Sequence, residues 1–369
     1  MKKQIKPICF VFGTRPEIIK ISSVIRECVR TKTPFITLHT GQHYSKNMDA
    51  IFWKELNLPA LDYNLHTGSG THVAQALKMM EGIEKILMRK KPRFVLVQGD
   101  TNSVLAGALV AAKLQIPIAH IEAGLRSYDR TMPEEVNRVL TGSVATLHFA
   151  PTINAKKNLL KEGIEKSKIF VTGNTVVDAL FQSLKIAQKK SKILKKLKIE
   201  KKDFILTTVH RPDNTDSKLN LSNIIDALGG ISLKYKMPII WPIHPRTKKQ
   251  IEHFNLSNRL KKIKDLILIE PVGFFDMLIL QSKSKLIITD SGGIQEEACI
   301  LKVPCVTLRY NTERPESVSV KANILAGNNP KDIMKAVNRM LNSKRNWKNP
   351  FGDGKASQRI IKAINNYKD

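Results

Sequence analysis

The sequence predicts an α/β protein built from two Rossmann-like, doubly wound halves, and three observations lead there. Short apolar strands alternate with helices almost throughout, the strands stop at polar or Gly-containing turns, and the alternation restarts after a lysine-rich run near residue 190. At 369 residues the chain also exceeds the usual domain length of about 100 to 200, so two domains with a core each are expected.

The first element, KPICFVFGTRPEIIKISSVIREC, reads as strand, turn and amphipathic helix, with Gly13 in the turn and Pro16 near the helix start. Arg15 then sits at a helix N-terminus, where unpaired N–H groups and the dipole favour an anion. The turn lacks GxGxxG, so no dinucleotide site is read there. PFITLHTGQHYS repeats the strand ending, with Gln42 and His43 after it. The stretch from Gln98 to Arg138 then places three acids where apolar segments end. RFVLVQGD reads as a buried strand closed by a Gly turn, SVLAGALVAAKL as a helix, and IPIAHIEAG as a second strand with the same ending. Ligands of open parallel sheets sit outside the carboxyl ends of the strands, so Asp100 and Glu122 are expected to face one crevice. Glu134 follows Pro133 at the start of the helix PEEVNRVL, where a carboxylate suits the dipole. One such acid is often a cap or a surface charge, but two at strand ends and a third close by point to chemistry. ATLHFAPT and KIFVTGNTVVDAL add two further strands.

The second half repeats the pattern in FILTTVHRPDN, MPIIWPIHPRT, LILIEPVGF, KLIITDSGGIQEEACIL and VPCVTLRYNTERPE. Polar groups gather where these strands stop, namely His210 and Arg211, His244, Glu270, Asp290 and Ser291, Arg309 and Arg314. TDSGGIQEEA is the sharpest local motif: a strand ends at Asp290, two glycines open the backbone to a ligand, and a helix begins whose N–H groups suit a phosphate. Adjacent helical residues point about 100° apart, so only one of Glu296 and Glu297 is expected to reach a ligand, where a carboxylate suits a ribose diol. A helix from Gly354 to Tyr367 closes the chain. The domains are therefore set at 1–188, 189–352 and a terminal helical segment 353–369 that packs back on the first domain.

Composition narrows the class. The hydrophobic fraction of 42% is ordinary for a globular protein, and no apolar run approaches the roughly 18 residues of a membrane span. Lysines precede ICFVF as in a secretory signal, yet that run leads straight into strand, turn and helix, so it reads as the first strand of a cytoplasmic protein. The net charge of +29 peaks in KKSKILKKLKIEKKD, which has no interleaved aromatics and reads as a solvated linker rather than a nucleic-acid face. Cys9, Cys28, Cys299 and Cys305 form no CxxC pair, which argues against a zinc site or a disulfide framework.

The segments GTRPEIIK, TGQHY, QGDT, HIEAGLRS, PEEVNR, VTGNTVVDA, VHR, PIHPRT, TDSGGIQEEA and NTERPE resemble, in content and order, the motifs of non-hydrolysing UDP-N-acetylglucosamine 2-epimerases. The likeness spans nearly the whole chain. It implies a GT-B fold of paired Rossmann-like domains with the UDP-sugar in the cleft between them, a homodimer, and no cofactor or metal. Family members interconvert UDP-GlcNAc and UDP-ManNAc by anti elimination of UDP to a 2-acetamidoglucal and re-addition on the other face, supplying ManNAc-type sugars for surface polysaccharide or glycan synthesis.

By motif position the resemblance assigns catalysis to Asp100, Glu122, Glu134 and His210, and nucleotide binding to Arg15, Lys20, Ser291, Gly292, Gly293, Glu297 and Arg314. Positions matching Gln42, His43, Arg211 and His244 hold an activating second UDP-GlcNAc in bacterial members, but HTGSGTH has no clear match for an expected Arg, with Ser69 nearby. Met277 stands where many members stack an aromatic residue on uracil, with Phe275 close by, and Asp213 replaces the usual Glu of the HRPDN loop. Crowding Asp100, Glu122 and Glu134 would raise at least one pKa, giving the unlike protonation states that proton removal and return require. Base and acid are not distinguished at this level, although Glu122 ranks first. Two other readings share the fold: a UDP-2,3-diacetamido-glucuronic acid 2-epimerase, and a GT-B glycosyltransferase, which would need an acceptor pocket.

Overall fold

Strands that are apolar on both faces need cover on both sides, which a parallel sheet flanked by helices supplies. The computed structural model describes residues 6–42 and 53–367 and shows two such sheets. The chain divides into two units, Met1–Gln182 with Phe351–Asp369, and Ser183–Pro350. The division thus falls inside the helix Thr175–Lys190, six residues before the border read from the lysine run.

The first unit carries β1 (Ile8–Phe12), β2 (Phe35–His39), β3 (Tyr63–Asn64), β4 (Phe94–Gln98), β5 (Ile118–Ile121), β6 (Leu147–Ala150) and β7 (Ile169–Val171). Their order is β3-β2-β1-β4-β5-β6-β7, all parallel. The second unit carries β8 (Ile205–Thr208), β9 (Ile239–Pro242), β10 (Leu266–Ile269), β11 (Leu286–Thr289), β12 (Cys305–Thr307) and β13 (Asn323–Leu325) in the order β10-β9-β8-β11-β12-β13. Every residue of ICFVF and FVLVQ is buried, as continuous apolar runs predict for central strands. β3 and β13 have only two and three residues and no apolar run, so periodicity does not reveal them. The four cysteines are buried free thiols. Among the described residues no helix is long and apolar enough to cross a membrane.

Capping fixes where the helices begin. Thr71, Thr101, Thr152 and Ser217 each accept an N–H from the first turn of their helix, and Pro133, Pro245, Pro315 and Pro330 occupy first helical positions. These caps set the strand-to-helix turns, which are the segments that carry the candidate site.

The terminal helix Ala356–Asn366 belongs to the first unit. Ile360, Ile361 and Ile364 are buried there, which contributes about 1.5–3 kcal/mol each by removal from water. The chain enters through a close backbone approach, since a Cβ on Gly352 would lie 3.2 Å from Gly173 Cα. Asp178, itself buried, accepts the Ala356 and Ser357 N–H groups at 3.2 and 2.9 Å and caps the helix. Asp178→Ala should therefore cost the helix about 1–2 kcal/mol. The expected reading is faster amide hydrogen exchange in the peptide 356–366, with the Ser183–Pro350 unit unchanged.

Candidate active site

Strand order reverses between β1 and β4 in the first unit and between β8 and β11 in the second. Parallel open sheets bind ligands beyond the strand ends at such reversals. The turns found there hold Arg15, Asp100, His210, Arg211 and Ser291 among the residues singled out from the sequence.

Glu122 follows β5 in the left-handed backbone region, with φ 67, and is 7% exposed. The Lys20 ammonium, on the helix Arg15–Thr31, lies 2.5 Å from Glu122 Oε2, and Gln98 at the end of β4 donates its amide to the same oxygen at 2.6 Å. Asn174 donates to Oε1 at 3.4 Å. Asp100 sits in the neighbouring turn, its Oδ2 2.8 and 2.6 Å from Arg138 Nε and Nη2, while Asn137 holds its carbonyl at 2.9 Å. Burial pushes the Asp100 carboxyl up; the positive charge of Arg138 pulls against this, the negative charge of Glu122 adds to the rise, and Lys20 opposes it. The structure therefore joins Asp100, Glu122, Lys20 and Arg138 in one cluster.

Among the described residues Glu134 has no hydrogen bond into it. Its side chain is exposed at the start of the helix Pro133–Val144, whereas Glu135 turns inward, accepts the Ser127 and Tyr128 N–H groups at 3.0 Å each, and pairs with Arg138 at 2.8 Å. Gln42 faces Ser103, whose hydroxyl it accepts at 2.8 Å, and His43 lies outside the described residues.

Arg15 is half-buried at the helix start. Glu17 accepts the Gly13 and Thr14 N–H groups at 3.0 and 2.8 Å, and Pro16 has no N–H to offer. Gly13 is required by crowding, because a Cβ would stand 2.1 Å from Ser103 Oγ.

In the second unit Asp290, fully buried after β11, is the hub. It accepts the His210 N–H at 3.0 Å, His210 Nδ1 at 2.7 Å, the Arg211 N–H at 2.9 Å and Asn214 Nδ2 at 3.2 Å. Burial alone would raise its carboxyl, yet the bonds from His210 and Arg211 together hold it below the usual range. His210 is thus oriented by Nδ1 with its ring partly exposed, and the His244 ring lies 6.0 Å away. His244 caps the helix Pro245–His253, and burial with the nearby His210 and Arg246 lowers its pKa.

Ser291 caps the helix Gly292–Ile300. The Gly292 and Gly293 N–H groups of its first turn have no acceptor among the described residues, and a side chain at 293 would meet nothing nearer than 4.0 Å. Of the two following acids, Glu296 is buried on Arg314 at 3.1 Å, while the half-buried Glu297 accepts from Gln281 at 2.7 Å. Arg211 and Arg309 both approach Glu313, at 3.8 and 2.9 Å. Met277 is half-buried on the helix Phe274–Lys283, and Phe275 is buried with the Lys190 ammonium 5.7 Å from its ring centre.

Sequence reasoning did not single out Gln98, Glu135, Arg138 or Glu17. Gln98, Arg138 and Glu17 act through hydrogen bonds to distant segments and Glu135 through the loop just before its helix, and only the position of Glu17 three residues after Thr14 carried a local signal, that of a capping box.

Burial pushes the Glu17 carboxyl up to about 7 from 4.5, although its hydrogen bonds to Thr14, Gly13 and Thr101 favour the charged form. A raised folded pKa means a stabilising contribution that is full below the unfolded value and lost as pH rises through about 7. Glu17→Gln removes this loss, so the variant should gain on the wild type by on the order of 3 kcal/mol between about pH 5 and about pH 8. Thermal melts at the two pH values check this, and a gap that does not change with pH would contradict it.

The family model described as UDP-N-acetylglucosamine 2-epimerase matches residues 26–365. A protein of that name from Methanocaldococcus jannaschii is 56% identical over 360 residues, 97% of this chain and 98% of its own. A UDP-2,3-diacetamido-2,3-dideoxy-D-glucuronate 2-epimerase from Pseudomonas aeruginosa is 40% identical, over 97% of this chain and 99% of its own. The crystal structure of the Methanocaldococcus jannaschii UDP-GlcNAc 2-epimerase in complex with UDP-GlcNAc and UDP superposes with TM-score 0.84 at 56% identity, covering 97% of this chain and 99% of that one. The two doubly wound sheets are those of the GT-B-like fold that the sequence motifs implied. The chain belongs to the UDP-N-acetylglucosamine 2-epimerase family.

Proposed function

We propose that this protein is a non-hydrolysing UDP-N-acetylglucosamine 2-epimerase that interconverts UDP-GlcNAc and UDP-ManNAc. The observation that carries the reading is the cluster of Asp100 and Glu122 in unlike surroundings, the first gripped by Arg138 and pushed up by burial, the second tied to Lys20 and Gln98. Two carboxyl groups so differently surrounded can divide the roles of proton acceptor and proton donor.

In the forward direction a carboxylate removes the C2 proton. The C–H electron pair becomes the C1=C2 bond, and the C1–O bond breaks with its electrons leaving on the UDP diphosphate. The products of this step are 2-acetamidoglucal, UDP and a protonated carboxyl group. UDP then re-adds at C1 while a proton is returned to the opposite face of C2, which needs a second acid. Asp100, Glu122 and Glu134 are the candidates for these two roles. Because the C2 hydrogen is weakly acidic, departure of UDP must be assisted in the same step. Arg15, His210 oriented by Asp290, and the Gly292 and Gly293 N–H groups are suited to the growing diphosphate charge. Ser291, Glu297, Arg314 and Met277 serve the nucleotide, and Lys20 pairs with Glu122 beside the sugar. Gln42, His43, Arg211 and His244 are assigned to UDP-sugar binding, and no activating role is drawn from them. The family resemblance further supports a cytoplasmic homodimer that feeds ManNAc-type sugars to surface polysaccharide or glycan synthesis. The higher identity to the UDP-GlcNAc enzyme, 56% against 40%, favours that sugar over the diacetamido uronic acid.

The test is NMR of the purified protein with UDP-GlcNAc in deuterated water. UDP-ManNAc carrying deuterium at C2 is expected. Free ManNAc with UDP would indicate a hydrolysing enzyme, and turnover of only the diacetamido uronic acid sugar would move the substrate assignment.

A further inference from the structure

Glu17 is a buried carboxylate beside the candidate site, and the elimination just described gives it no part. We infer that it is a positioning residue for that reaction, tying the start of the helix that carries Arg15 and Lys20 to the loop that carries Asp100. The inference rests on the epimerase reading.

The geometry separates this role from capping. A helix cap needs one oxygen on the Thr14 N–H. Glu17 Oε2 fills that need, accepting Gly13 and Thr14 at 3.0 and 2.8 Å. Its other oxygen reaches across the β1/β4 reversal and accepts the Thr101 hydroxyl at 2.9 Å, next in sequence to Asp100. With 3% of its surface exposed, Glu17 has no water to replace these bonds. The two turns are also in direct contact, since Ser103 Oγ bonds Thr40 Oγ1 at 2.7 Å where a Cβ on Gly13 would have to sit. On the far side, His120 Nε2 donates to the Gly99 carbonyl at 2.9 Å, and burial keeps that ring neutral by lowering its pKa to about 4. The Asp100 loop is therefore gripped at Gly99 and at Thr101, with the carboxylate between. On the helix that begins at Arg15, Lys20, three residues beyond Glu17, reaches Glu122. Loss of the Glu17 link would let the Asp100 loop move against the Lys20–Glu122 pair, and a displacement of about 1 Å can cost on the order of a hundredfold in rate.

Glu17→Ala, Glu17→Gln, Thr101→Val, Thr101→Ser and the double variant Glu17→Ala/Thr101→Val are compared with wild type for kcat and KM on UDP-GlcNAc, with UDP affinity by calorimetry. Glu17→Ala should lower kcat by about 10- to 100-fold with KM and UDP affinity within about threefold of wild type. Glu17→Gln should recover most of the rate, because its oxygen can accept the two N–H groups and its amide can donate to Thr101 Oγ1. Thr101 also caps the helix Asn102–Lys113, so Thr101→Ser, which keeps both bonds, should be near wild type while Thr101→Val matches Glu17→Ala. The double variant should be no slower than either single one, as expected for two ends of one link. Wild-type kcat in Glu17→Ala would leave the residue a helix cap only. Multiplying losses in the double variant would remove the link. Equal losses in Glu17→Gln and Glu17→Ala would make the charge, rather than the positioning, the active element. An inactive wild-type chain would overturn the epimerase reading and this inference with it.

Discussion

Burying a carboxylate without a partner costs several kcal/mol, and Glu122 is 7% exposed. Two donors on one oxygen make the burial tolerable, the Lys20 ammonium at 2.5 Å and the Gln98 amide at 2.6 Å. That arrangement dictates much of the first unit. It needs β4 beside β5, so that the last residue of one strand reaches the first residue after the other. It also needs the helix after β1 to return over the sheet with Lys20 on its inner face, which the right-handed strand-helix-strand crossover provides. The left-handed backbone at Glu122, unfavourable for a residue with a Cβ, is retained where its carboxylate gains both partners.

The two units solve a shared problem with one device. Each places a buried carboxylate across its strand-order reversal and uses it to gather backbone N–H groups from the turn after the first strand of that pair. In the first unit Glu17 collects Gly13 and Thr14 after β1 and reaches Thr101 after β4. In the second, Asp290 after β11 collects His210 and Arg211 after β8. The consequences differ because the surroundings differ. Glu17, with burial dominant, is pushed up to about 7, whereas Asp290 faces His210 and is held low. An Asp that stays ionised can keep one imidazole nitrogen occupied and leave the other for a ligand.

Much of this was legible in the residues. Continuous apolar runs such as FVLVQ and LIIT gave away buried parallel strands, and Gly or polar residues after them marked the turns where Asp100, Glu122 and His210 lie. Strand order was not legible, since pairing depends on contacts far apart in sequence. The same reason hides Gln98 and Arg138, which look like a strand end and a helix surface until the fold brings Glu122 and Asp100 to them. Glu134 and Glu135 show the limit at single-residue scale. Adjacent acids at a helix start are equivalent by composition, and the loop N–H groups of Ser127 and Tyr128 draw Glu135 inward while Glu134 is left exposed.

We propose that proton transfer at C2 belongs to the Glu122 cluster and that nucleotide binding belongs to the second unit. Glu122→Gln tests it by pairing C2 deuterium exchange with UDP calorimetry. Exchange is expected to fall by at least about a thousandfold, the upper part of the usual range for a lost acid–base group, while UDP affinity stays within about threefold. Exchange persisting at the wild-type rate in a variant that still binds UDP would contradict it.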